Sequence, residues 1–290
     1  MQTLTDIKSL LGARGLQPKH RFGQNFLHDH NHLSRIIRAA DLSPGDVVLE
    51  VGPGTGALTE CLLEAGADVV AVEIDPDMAA ILAQRVAPLA PSPEKFELIE
   101  GDILAGKHEI SPAVISAVER HRVNAAATGA GVAGTANSRG FKLIANLPYH
   151  IASPLLANLA IDHPAMTLAI VMIQREVADR LTAPPGGKEY GPLGVIIQAM
   201  CHVDRIGILP PSCFWPQPTI DSAVIRLRRR ESPLTDDPAG LSRMLQTLFT
   251  KRRKQLGSIL GRNFAFPEGI DPNARPESLS VEQLIQLASC

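Results

Sequence analysis

Short apolar runs alternate with amphipathic stretches along most of the chain. Apolar runs bounded by turn residues predict buried strands at residues 46–51, 69–74, 96–99, 141–145 and 168–173. Apolar residues at helical spacing predict helices at residues 57–65, 76–86, 174–181 and 193–200. Two closing strands are predicted at residues 202–209 and 222–227. Strands that alternate with helices are typical of an open α/β sheet, whose ligands bind beyond the carboxyl ends of the strands.

Two parts of the chain depart from this alternation. Residues 121–140 are rich in small and polar residues without an apolar period, which predicts a flexible surface insertion. Residues 231–239 are polar and contain proline, as is typical of a linker. At 290 residues the chain exceeds a typical single domain. We therefore predict a large domain at residues 1–230 and a small helical domain at residues 231–290.

Composition narrows the classes of function. The formal net charge is −2 at pH 7, so any surface for nucleic acid must be local. The four cysteines are scattered and form no C-x-x-C pair, so neither a metal site nor a disulfide framework is predicted. No apolar run reaches membrane-spanning length, and the first residues lack the apolar core of a signal peptide. We expect a soluble cytoplasmic protein without a membrane partner.

A glycine-rich turn, GPGTG, follows the first predicted strand and precedes a helix. This arrangement brings backbone N–H groups close to a ligand. Gly52, Gly54 and Ala57 also satisfy the dinucleotide-binding spacing, so the glycines alone leave the nucleotide cofactor open. Glu73 lies about 20 positions beyond the first glycine, where a carboxylate is placed to bind ribose hydroxyls. Asp102 follows the third strand, where it is placed to bond an amino group.

A second polar turn, NLPY, follows the fourth predicted strand. Asn146 offers a carboxamide at the carboxyl end of that strand, and Pro148 holds Leu147 in an extended conformation. Tyr149 adds an aromatic face and a hydroxyl. Such a turn is suited to holding a planar amine such as a nucleobase. The alternative is an ordinary strand-to-helix turn in which Asn146 is a cap.

The C-terminal part contains a local run of cations. Residues 241–260 have helical spacing, and the stretch from Leu241 to Arg262 contains no Asp or Glu. The cations of the run are Lys251, Arg252, Arg253 and Lys254. The run indicates contact with nucleic acid, and the alternative is a solvated face of a helix.

An ordered set of segments resembles the ribosomal RNA adenine N6-dimethyltransferase family, which acts on small-subunit RNA. The resemblance covers roughly residues 18–260. The segments are 22–27 (FGQNFL), 50–56 (EVGPGTG), 72–75 (VEID), 101–102 (GD), 146–149 (NLPY), 174–178 (QREVA) and 214–224 (FWPQPTIDSAV). The length of the 121–140 insertion and the presence of Thr250, where glutamine is expected, depart from the family pattern.

The resemblance implies a fold, a cofactor and a partner. The fold is the Rossmann-like class I methyltransferase fold, an α/β fold with a seven-stranded, mostly parallel sheet and helices on both faces. The methyl donor is S-adenosylmethionine. The reaction is dimethylation of N6, in two adjacent adenosines of 16S ribosomal RNA, with a role in ribosome biogenesis. The implied partner is small-subunit RNA or a pre-ribosomal particle, and the protein is expected to be a monomer off the ribosome.

The resemblance also assigns roles to residues. The candidate donor-binding residues are Asn25, Leu27, Gly52, Gly54, Glu73, Asp102 and Asn146. The candidate catalytic residues are Asn146, Leu147, Pro148, Tyr149 and Phe214. The Asn146 oxygen and the Leu147 carbonyl are expected to accept the two N6 hydrogens, which stabilises the developing positive charge. Tyr149 and Phe214 are expected to stack on an unpaired base, with core packing as the alternative for Phe214.

Other classes of function remain open at this point. A dehydrogenase would explain the glycines and Glu73 but not the NLPY turn. Methyltransferases for DNA adenine or protein amides more often have Asn/Asp-Pro-Pro-Tyr, whereas Leu147 occupies the second position here. A non-catalytic assembly or nucleic-acid-binding factor on the same scaffold is the alternative from a different class.

Overall fold

A central sheet of seven strands organises the protein. The computed structural model describes residues 2–106, 109–127, 140–261 and 263–290. The strands are β1 (Phe26–Leu27), β2 (Val47–Val51), β3 (Asp68–Glu73), β4 (Phe96–Glu100), β5 (Leu104–Gly106), β6 (Glu109–Ile110), β7 (Phe141–Asn146), β8 (Met166–Gln174), β9 (Cys201–Leu209), β10 (Phe214–Trp215) and β11 (Ser222–Arg229). The helices are α1 (Leu4–Gly12), α2 (His30–Ala40), α3 (Ala57–Glu64), α4 (Pro76–Arg85), α5 (Pro112–Ala127), α6 (Tyr149–Asp162), α7 (Arg175–Thr182), α8 (Pro192–Met200), α9 (Pro238–Thr250), α10 (Leu256–Leu260) and α11 (Val281–Ala288).

The strand order of the large sheet is β4-β3-β2-β7-β8-β11-β9. Strands β2, β3, β4, β7 and β8 pair in parallel, and β11 is antiparallel to both of its neighbours. The predicted seven-stranded, mostly parallel sheet is therefore confirmed. After β4 the chain crosses to the other side of β2 and forms β7. The carboxyl ends of β2 and β7 thus flank a topological switch point, the place where such sheets bind ligands.

Both faces of the sheet are buried. In β2, Leu49 packs into one hydrophobic cluster and Val48 into the other, because successive side chains point to opposite faces. This double burial explains why the strands are continuous apolar runs that could be located from the sequence. Most of their observed ends lie within one or two residues of the predicted ends.

The C-terminal helices share a core with the sheet. Leu241 and Leu245 of α9 and Leu284 of α11 are fully buried in the same hydrophobic cluster as Leu143 of β7. Beside them, the rings of Tyr190 and Phe249 meet edge to face, with centroids 6.3 Å apart. The C-terminal part is helical as predicted, and the domain boundary at residue 230 stays a prediction.

The flexible surface insertion predicted at residues 121–140 begins with helical residues. Helix α5 continues to Ala127. Its buried residues Val114, Ala117, Val118 and His121 are spaced three and four apart, so His121 completes an apolar helical stripe instead of beginning a loop. Residues 128–139 lie outside the described part of the chain. Among the described residues, no helix is both long and apolar enough to cross a membrane.

Candidate active site

A cleft opens at the switch point, beyond the carboxyl ends of β2, β3 and β7. Most of the predicted site residues line it, although they come from distant parts of the sequence. The predicted residues in the lining are Asn25, Leu27, Gly52, Gly54, Glu73, Asp102, Asn146 and Pro148. The structure therefore brings the candidate donor-binding residues together in one place.

The glycine turn forms the floor of the cleft. Gly52 and Gly54 have φ angles of 68° and 57°, in the left-handed region that favours glycine. A Cβ atom on Gly54 would lie only 2.9 Å from a ring carbon of Phe26. The Gly52 N–H donates to the Val72 carbonyl at 2.9 Å, which ties the turn to β3. The turn therefore needs glycine at both positions, for conformation at Gly52 and also for space at Gly54.

Glu73 ends β3 and braces the turn from below. Its Oε2 accepts the Gly54 N–H at 3.1 Å, and its Oε1 accepts the Asp75 N–H at 2.9 Å. Burial raises the pKa of the Glu73 carboxyl above its ordinary value. Each carboxylate oxygen has a further lone pair. Glu73 can therefore position the turn and still accept bonds from ligand hydroxyls.

Asp102 lies at the mouth of the cleft, after β4. Its Oδ1 accepts the Leu104 N–H at 2.9 Å, which fixes the side chain, and the residue is exposed. The fixed carboxylate lies beside the apolar side chain of Ile103 in the cleft lining. An acceptor next to an apolar wall suits the edge and face of an adenine ring.

The NLPY turn closes the opposite side of the cleft. The Asn146 Nδ2 donates to the Asn25 carbonyl at 2.9 Å, so the Oδ1 remains as the acceptor end of this carboxamide. The Leu147 N–H donates to the Met172 carbonyl at 3.1 Å, and its side chain is buried in the core. Pro148 packs on the glycine turn, with its ring 3.5 Å from where a Gly52 Cβ would lie. The turn is thus rigid and carries two hydrogen-bond acceptors, the Asn146 Oδ1 and the Leu147 carbonyl oxygen.

Tyr149 begins α6 and lies outside the cleft lining. Its hydroxyl is 3.0 Å from the Ser222 Oγ at the start of β11. Burial raises the pKa of the Tyr149 hydroxyl above its ordinary value. The hydroxyl therefore anchors the turn to the sheet, and the stacking role of the ring stays a prediction.

Phe214 does not offer a stacking surface in this structure. Its side chain is only 2 % exposed and packs in a hydrophobic cluster with Leu27, its partner in the β1–β10 pair. Core packing, the alternative considered from the sequence, describes its position. The neighbouring Trp215 instead stacks on Phe26, with ring centroids 6.4 Å apart.

The basic run does not lie on a helix, so the helical prediction for it is wrong. Helix α9 ends at Thr250, and the run forms the turn before α10. Lys251, Arg253 and Lys254 are exposed. Arg252 instead donates to the carbonyls of Lys188 at 2.9 Å and Gly187 at 3.0 Å. Of the predicted RNA-binding cations, Arg252 is therefore committed to a contact within the protein.

Sequence reasoning missed a charged network beside the cleft. Lys19 Nζ lies 2.7 Å from Asp75 Oδ1 and 2.6 Å from Asp77 Oδ2. The Gln24 Nε2 donates to Asp75 Oδ2 at 2.7 Å. These residues are far apart in sequence. The only sequence signal for them was the presence of Gln24 in the FGQNFL segment and of Asp75 in the VEID segment. Through Asp75, the network ties the loop that carries Asn25 to the turn between β3 and α4.

A second unpredicted group consists of Asp29, His32 and Cys213. Their potential ligand atoms lie within 4.8 Å of one another, although the sequence predicted no metal site. Asp29 caps helix α2, since its Oδ1 accepts the His32 N–H at 3.0 Å. The cap accounts for the position of Asp29.

The cleft fits S-adenosylmethionine by the chemistry of its lining. Carboxylates at the ends of β3 and β4 match ribose hydroxyls and an adenine amino group. Glu50, at the inner end, is buried, and among the described residues its Oε2 has no hydrogen-bond partner. A buried oxygen of this kind can accept a hydrogen bond from the amino group of the donor. The Gly52–Gly54 backbone leaves room for close approach.

Comparisons with known proteins agree with this site. The family model described as ribosomal RNA adenine dimethylase matches residues 15–290. The ribosomal RNA small subunit methyltransferase A of Thermosynechococcus vestitus is 37% identical, over 94% of this chain and 96% of the relative. The protein of the same name from Streptomyces coelicolor is 36% identical, over 98% and 94%.

Solved structures agree on the fold. A dimethyladenosine transferase from Plasmodium falciparum has a TM-score of 0.69 at 24% identity, covering 90% of this chain and 95% of that one. The 23S rRNA methyltransferase ErmE has a TM-score of 0.65 at 25% identity, covering 91% and 98%. The family match spans nearly the whole chain, and all the segments that suggested the resemblance lie within it. The chain therefore belongs to the ribosomal RNA adenine dimethylase family.

Proposed function

We propose that this protein dimethylates N6 of two adjacent adenosines in the 16S RNA of the small ribosomal subunit, during ribosome biogenesis. Membership of the family makes it an S-adenosylmethionine-dependent methyltransferase of ribosomal RNA adenine. The small-subunit target is supported by the names of the relatives, which are small subunit methyltransferases. The adjacent pair and the assembly role rest on the sequence resemblance alone.

The observation that carries the proposal is the orientation of the Asn146 carboxamide. Because its nitrogen donates to the Asn25 carbonyl, its oxygen is the end available to an amine. The Leu147 carbonyl lies on the same turn, and both acceptors can take N–H bonds from N6. An amine that donates two hydrogen bonds is favoured as a pyramidal nitrogen, so its lone pair becomes available.

The protein positions the two reactants and supplies polar groups around them, and the reaction needs no covalent bond to a protein side chain. Bound S-adenosylmethionine supplies a methyl group on a positively charged sulfur, which is a good leaving group. Glu73 and Asp102 hold the two ends of a nucleoside, and the glycine turn allows close approach. Asn146 orients the acceptor, so much of the rate comes from alignment of the two reactants.

Docking of the RNA is proposed to involve the exposed cations after α9. Lys251, Arg253 and Lys254 lie on the surface, and no ion pair involves them among the described residues. Phosphate contacts of this kind supply affinity and register but little sequence reading. The protein is expected to act in the cytoplasm, as a monomer, on the RNA or a pre-ribosomal particle.

Mass spectrometry of small-subunit RNA tests the activity. Cells that lack the protein should lose dimethyladenosine, and the wild-type gene should restore it. Asn146→Ala should fold, bind the donor and fail to restore the modification, because removal of one preorganised acceptor costs on the order of 10²–10³ in rate. A single-turnover rate near wild type would exclude the role of Asn146. Unchanged dimethyladenosine in cells without the protein would exclude the proposed function.

A further inference from the structure

A buried carboxylate ties down the loop that covers the cleft. The side chain of Asp75 is 0 % exposed. Its Oδ1 lies 2.7 Å from Lys19 Nζ, and its Oδ2 accepts the Gln24 Nε2 at 2.7 Å. The Lys19 N–H also donates to Gln24 Oε1 at 2.8 Å. The lead-in loop, residues 19–25, is thus held at two points by one carboxylate.

Asp75 connects the two sides of the cleft through its backbone N–H and its carboxylate. On the donor side, the Asp75 N–H donates to Glu73 Oε1 at 2.9 Å. On the acceptor side, the loop residue next to Gln24 is Asn25, whose carbonyl accepts the Asn146 Nδ2 at 2.9 Å. A continuous set of hydrogen bonds and one peptide link therefore runs from Glu73 through Asp75 and the loop to Asn146.

The lead-in loop forms part of the cleft wall. Phe22, Gly23, Gln24 and Asn25 line the cleft. Gly23 lies close to the NLPY turn, since a Cβ there would be 3.6 Å from Pro148 Cβ. Displacement of the loop would therefore open the cleft and release the partner of the Asn146 amide together.

We propose that Asp75 is a positioning residue, whose carboxylate latches the lead-in loop over the methyl donor and fixes the orientation of the Asn146 carboxamide. The part that concerns Asn146 rests on the proposed function. Asp75 acts through Gln24 and Asn25, not by contact with the reacting atoms. Loss of the latch has two consequences: faster release of the donor and slower methyl transfer.

The structure offers a matched control in Asp77. This residue also pairs with Lys19, but its side chain is 46% exposed, against 0% for Asp75, and it makes no bond to Gln24 in the described structure. Asp75→Asn and Asp77→Asn each replace one carboxylate with an amide of the same shape. Asn also remains a good cap for α4, where Asp75 Oδ1 accepts the Asp77 N–H at 3.2 Å. Only the Asp75 variant breaks the latch.

Hydrogen exchange and donor release test the latch without RNA. In the donor-free protein, Asp75→Asn should raise amide exchange in residues 19–25 about tenfold, because a tethered loop opens less often. Donor dissociation, followed by stopped flow, should quicken by about tenfold, and the single-turnover rate should fall by at least that factor, since misalignment is costly. Asp77→Asn should change each quantity less than about twofold, because a partly exposed ion pair is weak and Asp77 makes no bond to Gln24 in the described structure.

A second variant covers the case in which Asp75→Asn does not fold. Lys19→Met removes the cation from the partly exposed side of the network, and Lys19→Arg keeps it. The Met variant should loosen the loop, and the Arg variant should behave as wild type. Unchanged exchange in residues 19–25 for both Asp75→Asn and Lys19→Met would overturn the latch. A loss of stability with unaltered donor release and turnover would reduce Asp75 to a structural residue. If the loop loosens as expected but wild type does not methylate small-subunit RNA, the proposed function fails and the latch stands.

Discussion

Glu50 is a carboxyl group held in its neutral form beside the cleft. It lies next to the last residue of the apolar strand β2 and is 1 % exposed, and burial raises its pKa from 4.5 to about 8. Between these two values the folded protein binds more protons than the unfolded chain does. The contribution of Glu50 to stability is therefore present at low pH and is lost as the pH rises toward 8.

Replacement of Glu50 by Gln should flatten the pH dependence of stability. The amide is neutral at every pH, so the variant avoids the cost of ionising a buried group. Thermal denaturation between pH 5 and 9 should show a smaller fall in Tm for Glu50→Gln than for wild type. Part of the slope should remain, because the pKa of Glu73 is raised in the same direction. Parallel Tm curves for the two proteins would contradict the neutral state of Glu50.

Glu73→Ala should weaken binding of the methyl donor. Ribose hydroxyls lose a charged acceptor, which costs ~1.5–3 kcal/mol. The glycine turn also loses the bond to the Gly54 N–H. Calorimetry of donor binding is the measurement, with Glu64→Ala, an exposed carboxylate on α3, as the control. Unchanged affinity in a folded Glu73→Ala protein would reject the assignment.

At the scale of elements, the long strands of the central sheet could be predicted from the sequence, whereas the pairing of two-residue strands could not. The strands of the large sheet are continuous apolar runs because both of their faces are buried. The β1–β10 pair has two residues in each strand, from opposite ends of the methyltransferase fold. Nothing local specifies such a pair, so the packing of Phe214 against Leu27 could not be deduced. The spacing of apolar residues over 241–260 likewise predicted a helix, but it did not predict the turn that interrupts this helix after Thr250.

The position of Phe214 predicts a stability effect. Truncation of a buried phenylalanine removes apolar contacts and leaves a cavity, at a cost of ~3–5 kcal/mol. Phe214→Ala should therefore unfold at lower denaturant concentration than wild type. The more exposed Trp215→Ala is the control, because its ring lies at the edge of the cluster formed with Phe26. A normal unfolding midpoint together with impaired methylation would restore the stacking role expected from the sequence.

At the scale of the whole molecule, the candidate site residues converge on the switch point of the sheet. The glycine turn, Glu73, Asp102 and Asn146 were identified from motifs, because each lies at or just beyond the carboxyl end of a strand that could be predicted. The network of Lys19, Gln24 and Asp75 was not, because its members meet only through tertiary packing. Sequence motifs therefore identified the candidate residues that line the cleft. The residues that hold those candidates in place could be identified only from the structure.

The exposed cations after α9 predict how a mildly acidic protein holds RNA. The formal net charge is −2, so attraction to phosphate must come from a local surface. Arg253→Gln with Lys254→Gln removes two exposed charges without disturbing the contacts of Arg252. Affinity for small-subunit particles should fall, and the negative slope of log affinity against log salt should become shallower by about 2, roughly one for each phosphate contact.

The control for these cations is the pair Arg14→Gln and Arg120→Gln, which removes the same charge from exposed positions on other elements. Arg252→Gln is informative for a different reason. Its guanidinium holds the carbonyls of Gly187 and Lys188, so this variant should lose stability rather than salt dependence. Filter binding across a salt series measures the first effect, and donor calorimetry should show intact cofactor binding in every variant. If the Arg253 and Lys254 variant keeps the wild-type affinity and slope, the run is a solvated turn and the RNA docks elsewhere.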